Sequence, residues 1–207
     1  MTLSAGLSPL HEGHLHVDPF ENDEGYLITL DRAFIVVTSV ELVPCGNLDA
    51  EAIGPVHVPS TPLKSGIPVV ADVSEIIGEE YPVAELAPPV GEYCAIRIQI
   101  GPADDDAEGL PDDPDMVGLS IYLEGEYDDE EPFLITSASS FTGTIELKDE
   151  SGNSSPLQLD EPGRTHVLAG AAYDTWLDGV DFDGMTTGEM AIAMLESIKA
   201  SLHHHTH

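Results

Sequence analysis

At 207 residues the chain is long enough for one full core, and 39 Asp and Glu against six Lys and Arg give it a net charge of −33. A surface this negative repels phosphate backbones, which excludes nucleic acid as a partner. No apolar run approaches the ~20 residues of a membrane helix, so no membrane span is expected. The acidity draws cations and equally suits a saline setting, so charge alone does not single out metal binding.

The most economical organisation is one domain over 1–207. Residues 1–13 mix Gly, Ser, Pro and His without periodicity and read as a mobile or edge-docked arm. Met1-Thr2-Leu3-Ser4-Ala5 lacks the basic start and apolar stretch of a signal peptide, so an exported chain is read as the mature form. His11-Glu12-Gly13-His14-Leu15-His16-Val17-Asp18 then places three of nine histidines within six positions. A strand over 14–18 would put His14 and His16 on one face, with Asp18 continuing it.

Residues 26–30 and 33–43 read as two strands, separated at Asp31-Arg32, where Arg32 is expected in an ion pair. Residues 53–58, carrying His57, and 67–72 are short strands bounded or interrupted by proline. Residues 74–78 read as one helical turn. Alternation over 93–100 puts Cys94, Ile96, Ile98 and Ile100 on one face. Residues 117–123 repeat the pattern, with Val117, Leu119, Ile121 and Leu123 inward. Residues 133–135, 141–147, 157–159 and 166–168 add shorter strands, with turn signals such as Gly101-Pro102 and Pro162-Gly163 between many of them. Short alternating strands punctuated in this way indicate an all-β antiparallel β-sandwich over 14–183. Only the end reads as a helix, over 186–203. Thr186-x-x-Glu189 forms a capping box, and Ala191, Met194, Leu195, Ile198 and Leu202 make one apolar stripe. One more turn would bring His203 and His207 to a common face.

The familiar catalytic signatures are missing: no GxSxG, no phosphate-binding loop and no GxGxxG. His11-Glu12-Gly13-His14 is one residue short of the HExxH zinc motif, which leaves the glutamate misplaced. An enzyme is therefore not expected. Asp178-Gly179-Val180-Asp181-Phe182-Asp183-Gly184 resembles half of a calcium loop, making Asp178, Asp181 and Asp183 candidate calcium ligands, though the full EF-hand spacing is absent. A plain solvated loop is the competing reading, as it is for the acidic runs 104–108 and 112–115.

Cys45 and Cys94 are the only cysteines and form no CxxC, so one disulfide from an oxidising compartment is expected. With both thiols paired, imidazole and carboxylate remain as ligands, a set that suits Cu(II) or Zn(II). His14 and His16 are the leading pair, His57 the third ligand, and His11, His203 or His207 would close the shell. Solvated surface histidines, or for 203–207 a frayed tail or imperfect purification tag, are the plain alternatives.

From about residue 33 to 183 the order of features resembles the MbnP-like family of extracytoplasmic proteins associated with methanobactin and copper handling. Val40-Glu41-Leu42-Val43 ends a strand in a loop, and Leu86-Ala87-Pro88-Pro89-Val90 runs into Gly91-Glu92-Tyr93. Ile98-Gln99-Ile100-Gly101-Pro102-Ala103-Asp104 and Asp115-Met116-Val117-Gly118 follow, similar to that family's aliphatic-Gly-x-x-Asp turn and Met-led strand. The resemblance implies a β-sandwich with a copper site. It also raises oxidation of tryptophan to kynurenine, which here could fall only on Trp176.

Together these readings lead to an exported protein that captures, stores or delivers copper or zinc through histidines. The reading from a different class is a cell-surface, fibre or adhesion subunit with calcium-binding or salt-adapted acidic loops. Its N-terminal arm would self-assemble by pairing with a neighbour's sheet edge.

Overall fold

The computed structural model describes residues 2–3, 19–46, 60–74, 83–128, 130–149, 152–160, 168–171 and 175–205. His11, His14, His16, His57 and His207, the strands expected over 14–18 and 53–58, and residues 75–78 of the helical turn expected over 74–78 lie outside the described residues.

The described chain is all-β with one C-terminal helix. In order, its strands are β1 (Thr2–Leu3), β2 (Phe20–Glu21), β3 (Leu27–Pro44), β4 (Lys64–Ser65), β5 (Val69–Asp72), β6 (Ala84–Glu85), β7 (Gly91–Ile100), β8 (Ile121–Tyr127), β9 (Glu131–Ser137), β10 (Phe141–Glu146), β11 (Leu157–Leu159) and β12 (Leu168–Ala171). Helix α1 (Thr187–Ser201) and strand β13 (Leu202–His205) follow.

The 18 residues of β3 organise a nine-stranded antiparallel sheet. Along one edge its second half pairs with β7 (Val37 opposite Ile100) and its first half with β8 (Ile35 opposite Ile121). β7 and β8 therefore lie end to end as one strand interrupted by residues 101–120. β10 and β9 repeat this arrangement one row out, pairing with β7 and β8 and joined by residues 138–140. β2, β5 and β4 take the opposite edge of β3.

Residues 26–30 and 33–43, expected as two strands, are thus one. The Asp31-Arg32 break is a bulge: Leu30 faces Gly125 and Arg32 faces Glu124, leaving Asp31 as the extra residue. A second bulge at Thr38, between the Val37–Ile100 and Ser39–Gln99 pairs, marks where β3 passes from β8 to β7. Each extra residue resets the period-2 phase, so Ile28, Leu30, Ala33, Ile35, Val37, Val40 and Leu42 all join one core. Both halves of the sheet feed that core, together with helix α1. Burying each such side chain stabilises by roughly 1.5–3 kcal/mol.

Helix α1 packs against β9 and β10, with Ala191, Met194 and Ile198 in the same core. Its capping box forms as the sequence indicates: Glu189 N donates to Thr186 Oγ1 at 3.4 Å, and Thr186 N donates to Glu189 Oε2 at 2.9 Å. The helix ends at Ser201 rather than 203, because Leu202 turns extended and enters β13.

The outer face of β3 is covered as well. Ala103, Ala107 and Met116, from the excursion between β7 and β8, pack on Phe34, Val36, Val70 and Tyr122. Val117, expected inward, is accordingly exposed, and β8 starts only at Ile121. Ser120, which the alternation over 117–123 would turn to the other face, is buried and its hydroxyl donates to Ser137 O at 2.8 Å. Of the strand expected over 166–168, residues 166 and 167 lie outside the described residues, and β12 begins at Leu168. Within the arm read as mobile or edge-docked, Thr2–Leu3 pair with Ala84–Glu85 of the same chain. Among the described residues no helix is long and apolar enough to cross a membrane.

Candidate functional site

The best-defined candidate among the described residues is the acidic loop before α1, which docks on the turn between β2 and β3. Asn22 is buried, and its side-chain amide donates to Leu177 O at 2.9 Å and Val180 O at 3.0 Å. Its Oδ1 accepts from Tyr26 N at 3.0 Å, which closes the turn. Asp23 and Asp178 exchange bonds across the junction. Gly179 N donates to Asp23 Oδ1 at 2.6 Å, and Asp23 N donates to Asp178 Oδ1 at 3.2 Å.

Asp181 is the centre of this loop. Its Oδ1 accepts from Tyr26 Oη at 2.9 Å, Gly184 N at 2.9 Å and Asp183 N at 3.1 Å. The Tyr26 hydrogen bond first, and then the Gly184 amide, hold the Asp181 carboxyl below the usual carboxylate range. In return the carboxylate, with some burial, pushes the Tyr26 phenol up to about 12. Phe182 anchors the loop between aromatic rings. It stacks on Tyr127 with centroids 4.4 Å apart and meets Tyr26 edge-on at 5.3 Å and Phe133 at 5.1 Å.

This arrangement bears on Asp178, Asp181 and Asp183 as a calcium set. One oxygen of Asp181 serves three donors of the protein itself, Asp178 spends Oδ1 on Asp23, and Asp183 lies exposed. Among the described residues no three His, Cys, Asp or Glu side chains are grouped to hold a metal ion. What the loop does, on these contacts, is lock the approach to α1 onto the start of β3.

Cys45 and Cys94 form the expected disulfide, with Cα atoms 4.9 Å apart, and there is no free cysteine. The local geometry differs from the alternation expected over 93–100. Val43 pairs with Ala95 and Pro44 with Tyr93, so Cys94 is the bulged extra residue and Tyr93 takes the inward place. The bulge leaves Cys94 half-buried at the strand's side, next to the residue that follows Pro44.

Arg32 does form ion pairs: its Nε meets Glu124 Oε2 and its Nη1 meets Asp113 Oδ2, both at 2.8 Å. It also lies 6.0 Å from the Tyr122 ring centroid, so it fastens the acidic excursion to the sheet. Trp176 is fully buried in the core, and its indole N–H meets no acceptor among the described residues. An open apolar groove lined by Thr61, Pro62, Leu63, Ala87 and Pro89 gathers no titratable group.

Of the candidate histidine ligands, only His203 falls among the described residues. It lies in β13, opposite Gly170 of β12. The helical pairing of His203 with His207 does not arise, since α1 has already ended.

The chain matches no family model, no curated protein and no solved structure.

Proposed function

We propose that this chain is an extracytoplasmic protein that captures, stores or delivers a transition metal through histidine side chains, without catalytic turnover. The observation that supports the reading is the Cys45–Cys94 disulfide. It consumes both thiols, so the donors left for a soft or borderline ion are imidazole and carboxylate, the set suited to Cu(II) and Zn(II). Disulfides persist in oxidising compartments, which favours an exported protein. Copper ranks ahead of zinc through the resemblance to the MbnP-like family. His14 and His16 are the leading ligands, with His57 third and His11 able to complete the shell.

Elemental analysis of natively purified, tag-free protein tests the reading. Copper or zinc in near-stoichiometric amount supports it. Calcium, or no metal together with polymerisation, would replace it by a surface or fibre subunit.

A further inference from the structure

The hairpin that follows β10 carries chemistry unrelated to metal. Asn153-Ser154-Ser155 has the Asn-x-Ser form, with a residue other than proline between, of an acceptor for N-linked sugar. The chain's other asparagines lack that form, since Asn22 is followed by Asp23-Glu24 and Asn47 by Leu48-Asp49. We propose that Asn153 is a glycosylation site, modified during export by an oligosaccharide passed from a polyprenyl-phosphate carrier. In that transfer the Asn153 amide nitrogen attacks the anomeric carbon of the sugar. The new carbon–nitrogen bond forms as the carbon–oxygen bond to phosphate breaks, and the amide gives up one proton as the carrier phosphate departs.

The hairpin presents this asparagine to solvent. Residues 152–156 are all exposed, in the connection between β10 and β11, both of which pair with β7. Two backbone hydrogen bonds fix the hairpin's base: Ser155 N donates to Leu147 O at 2.9 Å, and Asp149 N donates to Asn153 O at 2.8 Å. Gly152 takes φ +80°, and a Cβ built there meets nothing within 4 Å, so the tip stands in open space. Among the described residues the Asn153 amide nitrogen meets only Asp149, at 3.4 Å from each carboxylate oxygen, the long limit of a hydrogen bond. Asn22 is the contrast, since it is buried and spends its amide on Leu177 O and Val180 O. Pro156 tempers the site. It biases Ser155 towards extended backbone and away from a tight turn with the asparagine, so modification is incomplete.

The inference rests on the extracytoplasmic location proposed from the Cys45–Cys94 disulfide. Peptide mapping of protein purified from its own organism tests it, because trypsin cutting after Lys148 and Arg164 isolates residues 149–164 with the single acceptor. Mass spectrometry should find part of this peptide carrying a saccharide. Asn153→Gln and Ser155→Ala, expressed in the same organism, should each abolish the added mass, and Pro156→Ala should raise the modified fraction. Sugar retained in Ser155→Ala would overturn the assignment, since the hydroxyl is what completes the acceptor. A disulfide-bonded parent whose peptide is wholly unmodified would overturn the inference and leave the extracytoplasmic location standing. An unmodified peptide together with two alkylatable thiols in the native protein would overturn both.

Discussion

Tyr26 and Asp181 are joined by a 2.9 Å hydrogen bond across 155 positions of sequence, and the bond ties the first turn of the sheet to the loop that launches α1. A phenol donor lowers the carboxyl's pKa, so the carboxylate is favoured in the folded protein. The stability it contributes is present above its unfolded pKa of about 3.9 and is lost as pH falls through the lower folded value. Tyr26→Phe should therefore lower Tm at neutral pH. The gap between parent and variant should narrow as pH drops below about 4, as thermal melts over pH 2–7 would show. A constant gap across that range would mean that Tyr26 acts through packing alone.

Reduction of Cys45–Cys94 frees a segment with a sequence separation of 49. Chain entropy for a loop of that size predicts a loss of about 4 kcal/mol. Urea unfolding with and without reductant measures it as a fall in midpoint. Alkylation of the native protein without reductant should add no label by intact mass.

Glu41 and Arg97 form a 2.8 Å ion pair in which the arginine side chain is 6% exposed and the glutamate 27%. Glu41→Ala would strand a buried guanidinium. Because Glu41 keeps some solvent contact, the cost should be about 2 kcal/mol, short of the ~3–5 kcal/mol of a fully buried pair. Replacing both residues by Met should recover most of that loss, and a double-mutant cycle in urea would reveal it.

Ile198 is fully buried where α1 meets the sheet. Ile198→Ala should destabilise by about 3 kcal/mol, through lost transfer energy and the cavity left behind. The loss would read as a lower unfolding midpoint with the m-value unchanged.

Metal binding should weaken as pH falls through the imidazole range, about 6.5 and somewhat lower where metal competes with protons. His14→Ala/His16→Ala should weaken it at pH 7 while leaving the far-ultraviolet spectrum unchanged. Copper and zinc titrations at several pH values check both statements.

The elements that periodicity reveals are the ones that were legible. β7 shows its Ile96, Ile98 and Ile100 alternation, α1 its capping box and apolar stripe, and the cysteines their isolation from any CxxC. What period-2 reasoning could not foresee are the bulges. One extra residue at Asp31 made a single strand read as two, and another at Cys94 moved that side chain off the isoleucine face. Charges dominate the pattern over 101–116 and hide an apolar underside, Ala103, Ala107 and Met116, spaced too irregularly to resemble a helix or strand. The loop over 178–184 was likewise visible as a carboxylate cluster. The donors that occupy it, the Tyr26 hydroxyl and the Asp23 amide, come from the far end of the chain, and no local pattern announces such a meeting.

The length of β3 also has a consequence for how the molecule forms. Among the described strands, all that pair with it except β2 lie later in the chain, the last ending at Tyr127. A polypeptide emerging N-terminus first therefore carries Ala33-Phe34-Ile35-Val36-Val37-Thr38-Ser39-Val40, an uncharged β-prone stretch, with one edge open until β7 and then β8 have appeared, although β5 and β4 can cover the other edge earlier. Such non-local closure is slow, and such a stretch is a template for self-association while it waits. The charge of −33 then gains a role that has nothing to do with cations: mutual repulsion keeps partly folded chains apart long enough for the late strands to arrive.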